Sequence, residues 1–181
     1  MVTVGLDLDH VIVNTIQGQA KYAETDILHV TDPQFKSLRQ NFYQYPELVA
    51  DLKPNHGALG SVSFLVENGL CPYVCSSRSI SLREITLEWL KKYGFDKFIT
   101  TGKVFLNQDK LEIARQKQAL CLVDDDPDFC EAAIKDGFPV IRIKRPNFMQ
   151  DLAISSSAGK QKMIVEVPSL LRGASLIVRE S

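Results

Sequence analysis

The sequence predicts an α/β fold: a doubly wound parallel sheet flanked by helices, with a small helical insertion after the first strand. Two observations carry that expectation. Apolar, strand-like runs starting near residues 2, 70, 119 and 139 alternate with segments of helical periodicity. Alternation at this spacing argues for parallel strands joined by crossovers and covered on both faces. Three of the runs stop abruptly at polar clusters: Asp7 and Asp9, then Ser76, Ser77 and Arg78, then Asp124 and Asp125.

The elements follow in order. Val2 to Val13 begins as a β-branched strand, and its acids come where the strand should end. From Asn14 to about Asp51 the pattern becomes helical and polar, punctuated by Pro33 and Pro46. Residues 54–68 carry Leu59, Val62, Leu65 and Val66 at helical spacing, with Gly69 as the stop. Leu70 to Cys75 reads as a second buried strand. Leu82 to Tyr93 is amphipathic and halts at Gly94, and Phe98 to Thr101 suggests a short strand. Asp109 is placed to cap a helix starting at Lys110. Ala119 to Val123 is a third strand, followed by a helix from Phe129 to Lys135 and a strand from Pro139 to Ile143. Residues 151–161 read as a serine-rich loop, Met163 to Val167 as a last extended segment, and Ser169 to Val178 as a closing helix. The whole, 1–181, is expected to be one Rossmann-like domain with an insertion at 15–53 and a C-terminal extension at 146–181.

Composition narrows the function. The 21 bases nearly cancel the 22 acids, for a formal charge of -1. Bulk charge therefore does not draw the chain onto extended nucleic acid or an anionic membrane. Cys71, Cys75, Cys121 and Cys130 form no C-x-x-C pair, and His10, His29 and His56 complete no zinc signature with them. Buried free thiols are expected. Asp7 and Asp9 interrupt the apolar N-terminal run, so no signal peptide is read there, and no apolar stretch is long enough to span a bilayer. A cytoplasmic location is expected.

Ligands of open parallel sheets bind beyond the carboxyl ends of the strands. The fold therefore draws the three polar clusters together. Carboxylates gathered in one place repel each other, and a hard cation with oxygen ligands relieves the repulsion. Mg2+ is the natural candidate, and it favours phosphate as its other ligand.

Asp7-Leu-Asp9-His-Val-Ile after an apolar strand resembles the first motif of the haloacid-dehalogenase (HAD) superfamily, Asp-x-Asp-x followed by Thr or Val. Tyr73-Val-Cys-Ser76-Ser-Arg78 resembles the second motif, Lys110 the third-motif lysine, and Leu122-Val-Asp124-Asp125-Asp126-Pro127 the acidic fourth. The resemblance spans about residues 1–145, with the motifs in the family's order. His10 departs from the pattern, which has glycine there, and Val11 replaces the commoner threonine.

The resemblance implies a mechanism. Asp7 is the nucleophile that becomes an aspartyl phosphate. Asp9 protonates the leaving oxygen and then activates water; its presence argues for phosphoryl transfer over dehalogenation. Mg2+ is held by Asp7, the Asp9 carbonyl and Asp124, with Asp125 on a metal-bound water. Ser76, with Ser77 beside it, and Lys110 bind phosphate. Arg78 meets either substrate phosphate or an acidic neighbour. Other readings stay open at single residues: strand-end acids and Ser76 also serve as caps, Lys103 competes with Lys110, and Asp128 is a further acid. Asp126 is expected either to point to solvent or to cap the next helix, and His10 to pack as a neutral ring while its amide faces phosphate.

The insertion resembles the small helical cap of 5'(3')-deoxyribonucleotidases. Its aromatics Phe35, Phe42, Tyr43 and Tyr45 serve either as a base-stacking surface or as the cap's own core. The expected substrate is a small phosphomonoester, with a nucleoside monophosphate leading. Another small phosphomonoester, a polynucleotide 3'-phosphate end, or a non-catalytic binding protein on the same fold are the alternatives.

Overall fold

The computed structural model describes residues 1–22, 41–144 and 164–180. Six parallel strands form one sheet: β1 (Thr3–Leu6), β2 (Cys71–Ser76), β3 (Val104–Leu106), β4 (Ala119–Asp124), β5 (Val140–Ile143) and β6 (Ile164–Val167). The order is β3-β2-β1-β4-β5-β6. The chain therefore winds outward in one direction from β1 and in the other from β4, which makes the β1/β4 seam the switch point where ligands of such sheets bind.

The helices are α1 (Thr15–Tyr22), α2 (Pro46–Asp51), α3 (Ala58–Glu67), α4 (Arg83–Lys92), α5 (Lys110–Gln116), α6 (Pro127–Lys135) and α7 (Leu170–Glu180). They divide between the two faces. Val62 and Leu65 of α3, Trp89 and Leu90 of α4, and Ala174 and Ile177 of α7 join Val4, Leu6 and Val74 in the larger core. Ile113 and Ala114 of α5 and Cys130 and Ala133 of α6 close a second core over Tyr73, Cys75 and Leu122. Each fully buried Leu, Val or Ile contributes about 1.5–3 kcal/mol against leaving it in water. Gly5 lies where β1 is crowded by its neighbours: a Cβ there would come within 2.3 Å of Leu122 and 2.7 Å of the Tyr73 hydroxyl.

Caps set the helix starts near the site. Asp109 accepts from the Leu111 and Glu112 amides at 2.8 and 3.0 Å, and Asp126 from the Asp128 and Phe129 amides at 2.9 and 3.3 Å. Both agree with the reading from sequence. Two expectations fail. Phe98 to Thr101 is not a strand but lies between two 3-10 turns, Phe95–Lys97 and Thr101–Lys103, and the strand is Val104–Leu106. The helix expected over 54–68 begins only at Ala58, because Gly57 before it is left-handed at φ 73°.

The C-terminal extension is part of the sheet: β6 pairs with β5, and α7 packs on α3. Residues 151–161 and Phe35 lie outside the described residues. All four cysteines are free thiols, three of them buried and Cys71 half-buried.

Candidate active site

β1 ends at the switch point, so the next residue, Asp7, is delivered to the mouth of the sheet. Its amide donates to the Val123 carbonyl at 2.8 Å, one rung beyond the β1/β4 pairing. β4 delivers Asp124 and Asp125 beside it. All three acids are buried, and one oxygen from each lies within 4.8 Å of the others. Asp126 donates its amide to Asp124 Oδ1 at 3.0 Å, which orients that carboxylate.

Lys110, the first residue of α5, reaches in from the second face. Its Nζ is 2.6 Å from Asp124 Oδ2 and 3.0 Å from Asp7 Oδ2. Of the two candidate lysines, Lys110 is thus the one whose ammonium joins the acids. The Phe129 ring packs 5.0 Å from the same ammonium.

Three carboxylates this close together repel one another. The Asp7 carboxyl is pushed up to about 7: burial raises it most, Lys110 opposes, and Asp124 and Asp9 add to the rise. Asp124 is raised for the same reasons, burial first, with Lys110 opposing and Asp125 adding repulsion. Burial works against the charge on Lys110, yet Asp7 and Asp124 outweigh it and raise Lys110 above its usual value. A compact set of three buried hard oxygen donors fits a divalent cation bound by Asp7, Asp124 and Asp125.

Asp9 faces elsewhere. Its carboxylate does not join that trio but is gripped by Arg78, Nε to Oδ2 at 2.8 Å and Nη2 to Oδ1 at 2.7 Å, with the Thr15 hydroxyl donating to Oδ1 at 2.7 Å. Burial alone would raise its pKa; Arg78 and Thr15 outweigh that and hold it well below the usual carboxylate range. Arg78 Nη1 also donates to the buried Thr86 hydroxyl at 3.2 Å, and the Tyr43 ring lies 5.6 Å from the guanidinium. Of the partners open to Arg78 from sequence, the structure shows the acidic neighbour.

Ser76 ends β2, is buried, and accepts the Arg78 amide at 3.3 Å, whereas Ser77 is exposed. Asp128 is also exposed. His10 is buried and left-handed, with φ 62°, the region a glycine enters without cost. Its amide donates to the Val13 carbonyl at 2.9 Å, so the expectation that this amide faces phosphate is not met.

Sequence reading missed three residues of this neighbourhood, Asn55, Thr15 and Thr86, and the contact of Tyr43 with Arg78. Asn55 donates to the His10 and Val11 carbonyls at 2.7 and 3.0 Å and pins the loop after Asp7. Thr15, Thr86 and the Tyr43–Arg78 contact were equally silent, because side chains that act only on other side chains leave no motif. Among the aromatics, Phe42 is buried and packs edge-on against Tyr22 and Tyr43, as core of the insertion; Tyr45 is largely exposed and tilts against Tyr22.

No family model and no curated protein matches the chain. Solved structures do match its fold. A HAD-superfamily hydrolase of subfamily IA, variant 1, from Geobacter sulfurreducens is 13% identical, with 98% of this chain and 96% of that one covered at a TM-score of 0.60. A family IA, variant 3 HAD hydrolase from Entamoeba histolytica is 12% identical, with 99% and 100% covered at 0.61. The D,D-heptose 1,7-bisphosphate phosphatase of B. bronchiseptica, solved with magnesium and phosphate, is 14% identical over the full length of both chains at 0.58. The chain therefore has the α/β fold of HAD-superfamily hydrolases. No helix among the described residues is long and apolar enough to cross a membrane.

Proposed function

We infer that this chain is a Mg2+-dependent phosphomonoester hydrolase working through an aspartyl phosphate, with nucleoside monophosphates as its substrates. The observation that carries the reading is the position of Asp7: a buried carboxylate at the switch point, touched by Lys110 and flanked by Asp124 and Asp125. Mg2+ held by these three acids would screen the phosphate's charge from the attacking carboxylate. The phosphatase among the structural neighbours, solved with magnesium and phosphate, supports the same chemistry.

In the first step an Asp7 oxygen forms a bond to phosphorus, and the bond from phosphorus to the leaving oxygen breaks. Lys110 steadies Asp7 and offers positive charge to a phosphate oxygen. Ser76 ends β2 beside this site and is the candidate hydroxyl donor to another. In the second step water attacks the phosphorus, its proton passes to Asp9, and Asp7 is freed. Asp9 is already in the ionised state that accepts this proton. The first step asks for the opposite state, so the Arg78 grip has to slacken when the leaving oxygen is protonated.

Nucleotides are preferred because the insertion brings the Tyr43 ring to the Arg78–Asp9 pair, on the leaving-group side of the site. A panel tests both levels. Turnover of an aryl phosphate that needs Mg2+ and is lost in Asp7→Asn is the expected result; activity unchanged in Asp7→Asn rejects the nucleophile. A marked preference for nucleoside monophosphates over sugar phosphates is expected, and a flat profile rejects the substrate class.

A further inference from the structure

Gln19 has no place in the chemistry above, yet it stands out among the described polar side chains of the insertion. It is fully buried, and neither Oε1 nor Nε2 has a hydrogen-bond partner among the described residues. Leaving a buried amide unsatisfied costs about 1–3 kcal/mol. Native proteins satisfy nearly all such groups, so an orphaned one calls for a partner, and a buried water or a bound ligand can each supply it.

The helix indicates which partner. Gln19 follows Thr15 by four residues, so both lie on one face of α1. The Thr15 hydroxyl touches Asp9 Oδ1. Gln19 therefore sits about 6 Å of helical rise beyond the residue that touches Asp9, the acid assigned above to the leaving oxygen. That offset is the scale of one sugar ring. A carboxamide presents a donor and an acceptor side by side. A nucleobase edge does the same, as when Gln pairs with N6 and N7 of adenine.

We propose that Gln19 recognises the substrate's base by pairing its amide with an edge that carries adjacent donor and acceptor groups. This rests on the nucleotidase reading and adds the residue that would enforce it. The phosphate stays at Asp7, the sugar spans the turn between Thr15 and Gln19, and the base satisfies the orphaned amide.

The test compares the full-length wild type with Gln19→Leu and Gln19→Met, which keep most of the volume and remove the amide. Each is assayed with Mg2+ on the common nucleoside monophosphates, on sugar phosphates, and on an aryl phosphate that has no pairing edge. The preferred nucleotide's kcat/KM, taken relative to the aryl phosphate, is expected to fall about tenfold or more in both variants, chiefly through KM, matching the loss of a paired buried polar contact. Calorimetric affinity for the free nucleoside should fall in parallel. A ratio kept within about twofold in folded variants overturns the role of Gln19 while leaving the nucleotidase reading intact. A wild type that prefers sugar phosphates rejects the nucleotidase reading, and the base pairing with it. Loss of folding in both variants would show the amide to be a structural partner and overturns the proposal as well.

Discussion

Arg78 and Asp9, 69 residues apart in the chain, are joined by two parallel charge-assisted hydrogen bonds of 2.8 and 2.7 Å, with both side chains almost wholly out of water. A buried pair of this kind adds little over a well-packed apolar pair, but breaking one side of it strands a charge. Arg78→Met is therefore expected to destabilise the protein by about 3–5 kcal/mol, read as a shift in the urea midpoint. Arg78→Lys should recover only part of this, because an ammonium does not reproduce the bidentate fork. Equal stability of the Lys variant and the wild type would contradict the geometry.

Lys110 places its ammonium on both Asp7 and Asp124. Lys110→Met should lower turnover by about two orders of magnitude, the scale of losing one preorganised charge contact to phosphate. It should also leave the metal-free protein less stable near neutral pH. Lys103→Met, at the end of a 3-10 turn, should leave turnover within about twofold of wild type, as surface substitutions usually do.

The pH dependence follows from Asp7. Its folded-state pKa is raised to about 7, above the unfolded value near 3.8. Between these values the folded state binds more protons than the unfolded one, so stability must fall as pH rises. The metal-free protein should melt at a higher temperature at pH 5 than at pH 8. Added Mg2+ should flatten that slope by stabilising the ionised acids. Asp9 has the opposite sign: its depressed pKa contributes stability above the ordinary carboxylate range, lost as the pH drops below it. A metal-free melting temperature that climbs from pH 5 to pH 8 would show that Asp7 is not raised.

Asn55 holds the loop after Asp7 through two carbonyls, those of His10 and Val11. Asn55→Ala is expected to cost about 1–3 kcal/mol for the bonds lost. It should lower kcat more than it raises KM, because the loop positions Asp7 and Asp9 rather than binding substrate. Asn55→Asp keeps the shape but removes the donor, and should be no better than the alanine variant.

The sheet was legible because strands and helices are written in local patterns. β1, β2, β4 and β5 follow from apolar runs, and α5 and α6 from Asp109 and Asp126 as caps. Phe98 to Thr101 shows the limit. Ile99, Thr100 and Thr101 have the composition of a strand, but a strand exists only where a neighbour offers hydrogen bonds, and β2 offers them to Val104–Leu106. Propensity alone does not choose between adjacent segments.

By itself the sequence determined the parallel α/β architecture and the delivery of Asp7, Ser76 and Asp124 to the strand ends, since each acid or hydroxyl directly follows its own apolar run. Only the tertiary structure decided how the charges are shared: Lys110 between Asp7 and Asp124, Arg78 on Asp9, Asn55 on the loop, Gln19 buried without a partner among the described residues. These depend on which side chains meet across tens of residues, and local periodicity carries no record of such meetings. The near-zero net charge likewise belongs to the sequence. The cluster of buried carboxylates that Lys110 enters belongs to the fold.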